Sequence, residues 1–280
     1  MKKIRKTRVI GVMFCLCLVL LTSGCSEQYK MERMVWHADQ AAKPIFINEG
    51  SVPSYEFKRV MDMYRKIIDA KPDSGFALDA KFKIAKLYIS NQEFDQARLE
   101  YDQVLEKYKD NPELSANTVF LKALSYEQEK EWSEALKMFD LIIKQYPETS
   151  QSLSVPMYIA NYYMKNEDTV SAVQAYKTAI DYYQEIADRY PNSKAGLLCE
   201  NMIVRAYMEM SSWNDALNYM QSLDSKYKLG PDTLMVMAQI YKEKLNDPVK
   251  MRAIYNRILE EFPDHKVAKY VKQLMEQEKE

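Results

Sequence analysis

Apolar and polar residues alternate with a helical period along most of this chain, and the stretch Ala123 to Pro147, ALSYEQEKEWSEALKMFDLIIKQYP, shows the pattern most clearly. Ala123 and Tyr126 sit three apart on one predicted helix, and Lys130 and Glu131 make a turn. Trp132, Ala135, Phe139 and Ile142 then mark one face of a second helix. Ala123 and Ala135 carry only a methyl group, so the two backbones can cross at roughly 8–10 Å while Tyr126, Trp132 and Phe139 fill the space around the contact. Tyr146-Pro147 closes the unit, because proline lacks the amide donor that a continuing helix needs.

The same hairpin pattern recurs from Ser54 onward. The small residue and tyrosine of the first helix reappear as Ala85/Tyr88, Ala160/Tyr163, Val204/Tyr207 and Ala238/Tyr241. Their partners on the second helix are Ala97/Tyr101, Ala135/Phe139, Ala172/Tyr176, Ala216/Met220 and, after a slip of one residue, Met251/Tyr255. Pro112, Pro147, Pro191 and Pro263 end several units. The spacing from Ala160 to Val204 is longer than the others and predicts extra helical turns in Asp181 to Tyr190. Phe57, Tyr64, Ile67 and Pro72 form an earlier half-unit, and Val267 to Glu280 reads as a solvating cap helix, apolar at Val267, Ala268, Val271 and Leu274.

The small residue, the tyrosine three on, the alanine nine beyond, the aromatic four later and the closing proline resemble the tetratricopeptide repeat. The resemblance implies an all-α fold, a right-handed superhelical solenoid of antiparallel helix pairs over 54–280. Val204 and Met251 depart from the small-residue positions.

Two segments precede the repeats. Lys2, Lys3, Arg5, Lys6 and Arg8 lead into the apolar run Val9 to Leu21, which is too short for a bilayer span of roughly 20 residues. It ends in small residues, as a bacterial secretion signal over 1–24 does. Leu21-Thr22-Ser23-Gly24-Cys25 resembles the lipobox of bacterial lipoproteins, which implies acylation of Cys25, and Ser26 after it implies sorting to the outer membrane. Residues 25–53 then comprise one helix and a linker. Met31, Met34, Val35, Ala38 and Ala42 define a single apolar face over 28–43, and Pro44, Asn48, Gly50 and Pro53 predict a loop over 44–53.

The whole chain carries 39 basic and 40 acidic residues, a net charge of −1. Without the five basic residues of the signal the balance is −6 (34 against 40), and lysines interleave with glutamates, so no basic stripe supports nucleic-acid binding. Cys15 and Cys17 leave with the signal and Cys25 is the lipid site. That leaves Cys199, which sits in the apolar run Leu197-Leu198-Cys199 and reads as a small core residue, so an internal disulfide is ruled out.

Catalytic chemistry finds little to work with. His37 and His265 lie far apart without metal-ligand spacing, the glycines form no phosphate-binding loop, and no GxSxG occurs. Carboxylates such as Glu131 and Glu134 sit on polar helix faces. No catalytic residue, metal or cofactor is expected. In the tetratricopeptide family the ligand commonly meets positions 2, 5, 9 and 12 of each unit, on the first helices. By that resemblance the candidate partner groove includes Phe82, Lys86, Phe120 and Leu124 in the earlier units. Met157, Asn161, Asn201, Arg205, Met208, Met235 and Gln239 continue it in the later ones. Amides suit an extended peptide backbone, and methionine and phenylalanine suit adaptable apolar pockets.

A lipid-anchored repeat protein with Tyr-Pro closures resembles the lipoprotein subunit of the outer-membrane β-barrel assembly machine. That resemblance implies a periplasmic scaffold whose partner is an envelope protein, such as an outer-membrane barrel. The alternatives are a repeat scaffold that coordinates cell-wall synthesis with the Tol-Pal system, and an envelope enzyme or regulatory subunit that uses the repeats as a docking arm.

Overall fold

The turns show most directly why this sequence folds as it does. A computed structural model describes residues 27–47 and 53–277, and their regular structure is entirely helical. Helix α1 covers 27–47, followed by α2 (Ser54–Ala70), α3 (Gly75–Ser90), α4 (Phe94–Lys107), α5 (Pro112–Gln128) and α6 (Trp132–Gln145). Next come α7 (Ser150–Lys165), α8 (Thr169–Arg189), α9 (Lys194–Glu209) and α10 (Trp213–Tyr227). Helix α11 (Pro231–Gln239) runs into a π-helical turn at Ile240–Lys244, and α12 (Pro248–Glu261) and α13 (Lys266–Gln277) complete the described residues.

The small residue and tyrosine position each hairpin turn. Seven residues after Ala85, Ala123, Ala160 and Val204 come Gln92, Lys130, Glu167 and Ser211, all left-handed, with φ of 62°, 69°, 62° and 58°. The amide that follows each of them donates to the carbonyl of the repeat tyrosine: Glu93 to Tyr88 (2.8 Å), Glu131 to Tyr126 (2.8 Å), Asp168 to Tyr163 (3.0 Å) and Ser212 to Tyr207 (2.9 Å). This is the six-to-one closure of a Schellman motif, and it reverses the chain within three residues. The last pair has one extra residue. The π turn absorbs it, with the Leu245 amide donating to the Ile240 carbonyl at 3.1 Å, so that Asn246 (φ 50°) and the Asp247-to-Tyr241 bond (2.8 Å) complete the same turn. The one-residue slip before Met251 is therefore a local bulge.

Connections between pairs repeat as well. The amides of Ser74, Asn111, Thr149, Ser193 and His265 donate to the carbonyl three residues back, on Lys71, Tyr108, Tyr146, Tyr190 and Phe262. The Ser74, Asn111 and Ser193 side chains then accept from Ala77, Leu114 and Gly196 at 3.0–3.2 Å, which satisfies a free amide in the first turn of the next helix.

The chain divides into two compact units, up to Ser152 and from Leu153, with the division inside α7. In the first, Ala85, Ala97, Ala123 and Ala135 are completely buried where the paired helices cross, as the repeat pattern requires. Helix α1 departs from expectation by running through Pro44 to residue 47; positions 48–52 of the predicted loop lie outside the described residues. Its apolar face continues to Ile45, which is 3% exposed, and this docking holds the last turn in place. The carbonyl that Pro44 cannot serve belongs to exposed Gln40, open to water. Met31, Ala38, Ala42 and Ile45 pack with Val60, Met61, Tyr64 and Ile67 of α2, which makes α1 and α2 the pair that the half-unit lacked.

In the second unit, α8 has 21 residues against 14 or 15 in α4, α6, α10 and α12, and so carries the extra turns predicted from the spacing. They bury Tyr183 and Ala187, and the Tyr183 hydroxyl donates to the Leu153 carbonyl at 2.7 Å. Met220, Met251, Tyr255 and Ile258 form a second core here, which α13 covers with Ala268 and Val271. Val204 is only half-buried, whereas Ile203 and Ala206 beside it are fully buried.

Candidate functional site

Helical register fixes the direction of each candidate groove residue, and neighbouring side chains decide what remains available. In the first unit, Phe82 of α3 is half-buried with its ring centroid 6.3 Å from that of Tyr101. Phe120 of α5 lies likewise 5.6 Å from Phe139, and Leu124 is half-buried. Lys86 is exposed, with its ammonium group 4.5 Å above the Phe46 ring of α1. That cation–π contact joins α3 to the last turn of α1.

In the second unit, Met157 is buried (4%), and Met208 and Met235 both pack against the core formed by α10 to α13. Asn161 of α7 accepts the Tyr176 hydroxyl at 2.6 Å, so its carbonyl is already committed inside the fold. Asn201 and Arg205 are exposed one turn apart on α9; the Asn201 amide donates to Leu197 of its own helix at 2.8 Å, and Arg205 lies 3.5 Å from Glu209. Gln239 is exposed. The apolar candidates therefore serve packing, and Lys86, Asn201, Arg205 and Gln239 present polar groups to solvent.

Hollows on the second helices were not expected from the sequence. One of about 600 Å³ is lined by Val173, Lys177, Ile180 and Asp181 of α8 together with Tyr207, Met210, Ser212 and Asp215 around the α9–α10 turn. Burial, with the nearby Asp215 and Asp181 carboxylates, pushes the Tyr207 phenol above its ordinary pKa, so it stays a neutral hydrogen-bonding group. Another of about 350 Å³ lies between α10 and α12, where Asn214, Asn218 and Gln221 face Lys250 and Ile254. The length of α8 was the one sequence signal that something differed here.

Ion pairs clamp successive helices. Arg98 of α4, largely buried, reaches Glu129 at 2.6 Å and stacks 4.2 Å over the Tyr126 ring, and Lys122 reaches Asp102 at 2.6 Å. In the second unit, buried Glu200 accepts from Lys226 and from the Tyr227 hydroxyl, both at 2.9 Å. Arg257 grips Asp224 through both terminal nitrogens and holds that carboxyl below its usual range.

Reactive groups are few or occupied. Among the described residues no three His, Cys, Asp or Glu side chains converge as metal ligands. Cys199 is buried and its thiol is pushed up to about 11, chiefly by desolvation. His265 accepts the Val267 amide at 3.3 Å, and exposed His37 stands edge-on to Trp36. Glu134 pairs with Lys137 on the α6 surface. Cys25 lies outside the described residues.

Comparison with known proteins agrees with the turn geometry. Tetratricopeptide-repeat patterns match residues 82–148, 157–193 and 232–265, the ranges that hold the α3–α6, α7–α8 and α11–α12 hairpins. No curated protein sequence matches the chain. Similar solved structures include PilW, a widely conserved type IV pilus biogenesis factor, at 15% identity over 84% of this chain and 97% of that one, with a TM-score of 0.39. The pilF protein of Pseudomonas aeruginosa follows at 13% identity over 85% and 99%, TM-score 0.35. A tetratricopeptide repeat protein from Parabacteroides merdae stands at 10% identity over 79% and 78%, TM-score 0.38. Given hairpins closed at matching positions and the repeat patterns that cover them, this chain is a tetratricopeptide-repeat protein, a protein-interaction scaffold by fold.

Proposed function

We propose that the protein is a lipid-anchored scaffold on the periplasmic face of the outer membrane, where its repeats bind an envelope protein during outer-membrane β-barrel assembly. The observation that carries this reading is Leu21-Thr22-Ser23-Gly24-Cys25, a lipobox-like sequence placed directly ahead of α1 and the helical repeats. Acyl chains on Cys25 contribute about 0.8 kcal/mol per buried methylene, so more than one chain gives a lasting hold on the membrane. The repeats do the binding. Lys86, Asn201, Arg205 and Gln239 offer charge and amide groups, and the hollows beside α8 and α10 offer linings of mixed polar and apolar side chains to a helix or an extended strand.

Cross-linked pull-down of the tagged protein from detergent-solubilised envelopes, alongside a Cys25→Ser variant, tests the reading. Recovery of a large outer-membrane barrel protein with the wild type, together with an uncleaved or soluble precursor for the variant, is expected. Cell-wall synthases or Tol-Pal components in place of a barrel would move the scaffold to another pathway. Wild-type Cys25 that carries no acyl mass would refute the anchor.

A further inference from the structure

Helix α1 buries one side and leaves an unusual side facing water. At 100° per residue, Tyr29, Arg33, Trp36, Gln40, Lys43 and Ile47 fall within about 80° of arc, opposite the buried face marked by Met31, Ala38, Ala42 and Ile45. Tyr29, Trp36 and Ile47 are 62%, 58% and 78% exposed, far more than large apolar groups are when the fold has a use for them inside. The stripe runs about 27 Å at 1.5 Å per residue. Arg33 and Lys43 lie on it, and Glu32 and Asp39 fall outside, which leaves the stripe cationic and apolar. The Arg33 guanidinium lies 6.0 Å from the Tyr29 ring centre and the Lys43 ammonium bonds Gln40 at 2.9 Å, so neither cation is neutralised by a carboxylate in these contacts.

We infer that this face of α1 lies in the headgroup layer of the membrane. Tyr29, Trp36 and Ile47 then reach the acyl boundary, and Arg33 and Lys43 meet lipid phosphates. Aromatic residues with basic neighbours on one face of a helix, and an apolar core on the other, match an in-plane interfacial helix. No helix among the described residues is long and apolar enough to cross a membrane. The occupant follows from charge complementarity and from the chain itself. Cys25 precedes the first described residue, Glu27, by two positions, at most ~7 Å of extended chain, so an acyl group there would bring α1 to the lipid surface. This step rests on the lipoprotein reading of Cys25. It adds that the anchor is no free tether, because α1 is packed into the first core and would fix the orientation of the first unit on the membrane.

Full-length protein reconstituted in phosphatidylethanolamine and phosphatidylglycerol vesicles with brominated acyl chains provides the test, with the mass at Cys25 measured in parallel. Bromine should quench Trp36, identified as the emission lost relative to Trp36→Phe. In the Cys25→Ser chain, which removes the acyl contribution, Trp36→Gln should lower vesicle partitioning about tenfold. Arg33→Gln or Lys43→Gln should lower it about fivefold at low salt. An acylated protein whose Trp36 is not quenched overturns the membrane face and leaves the anchor standing. Quenching in an unacylated protein retains the face and removes the anchor, and absence of both defeats both. A photo-cross-linker at position 36 that captures a protein, without lipid quenching, would assign the stripe to a protein partner and overturn the inference.

Discussion

The Tyr64 hydroxyl holds α1 against the repeats, and its removal should loosen that helix selectively. Tyr64 is fully buried, and its hydroxyl donates to Asp39 of α1 at 2.6 Å. Asp39 also meets Lys83 of α3 at 3.3 Å, so a single carboxylate connects three helices. Burial, then the Asp39 bond, drives the phenol pKa well above its ordinary value, which keeps Tyr64 a donor throughout the accessible pH range. Tyr64→Phe keeps the ring and its packing and deletes only the donor. A hydrogen bond to a charged group contributes about 1.5–3 kcal/mol. Asp39 is about one-third exposed and keeps Lys83, so water and the lysine replace part of the loss and ~1–2 kcal/mol remains. Two separate units make a single unfolding free energy ill-defined, so amide hydrogen exchange in 27–47 is the appropriate assay. Exchange there should accelerate roughly 5–30-fold while the second unit is unaffected. An α1 that exchanges at the wild-type rate would show that apolar packing alone holds it and that the hydroxyl–carboxylate bond contributes nothing.

Two further outcomes follow from the second unit. A Cβ on Gly196, in the first turn of α9, would sit 2.3 Å from the Tyr190 carbonyl oxygen, an acceptor that closes the preceding turn; Gly196→Ala should therefore cost about 1–3 kcal/mol, and unchanged amide hydrogen exchange in α8 and α9 would show that the turn yields freely. The Cys199 thiol, pushed up to about 11 by burial, favours the fold below the unfolded-state value near 9 and loses that advantage as pH rises from about 9 to 11; the wild type should lose more stability than Cys199→Ala between pH 8 and 10.5, and parallel losses would clear the thiol of any part.

Repeat identity and turn position were legible because they are local. In four of the pairs, the twelve residues from the small position to the next alanine leave room for one helix end, one left-handed residue and one helix start, and the tyrosine carbonyl lies where the returning amide needs it. The extra turns of α8 followed from the long spacing between units, whereas Cys199 is buried by its place on the inward face of α9, since Leu197 and Leu198 of the same apolar run are exposed. Periodicity says which side of a helix faces inward.

It does not say which long side chain from another helix arrives there. Asn161 satisfied the groove positions by register, yet Tyr176, fifteen residues on, takes its carbonyl; Met208 and Met235 met the same rule and were drawn into packing by α10 to α13. Pro44 read locally as the end of α1, and docking of Ile45 and Phe46 into the core shared with α2 and α3, with Lys86 over the Phe46 ring, keeps the helix going. Helix register, capping and turn chemistry depend on neighbours within about one turn, so the amino-acid sequence determines them directly. The open hollows beside α8 and α10, the pairing of buried Glu200 and the capture of Asn161 depend on how helices cross, and only the tertiary structure decides them, because side chains separated by tens of residues meet or miss by the angle and distance of that crossing.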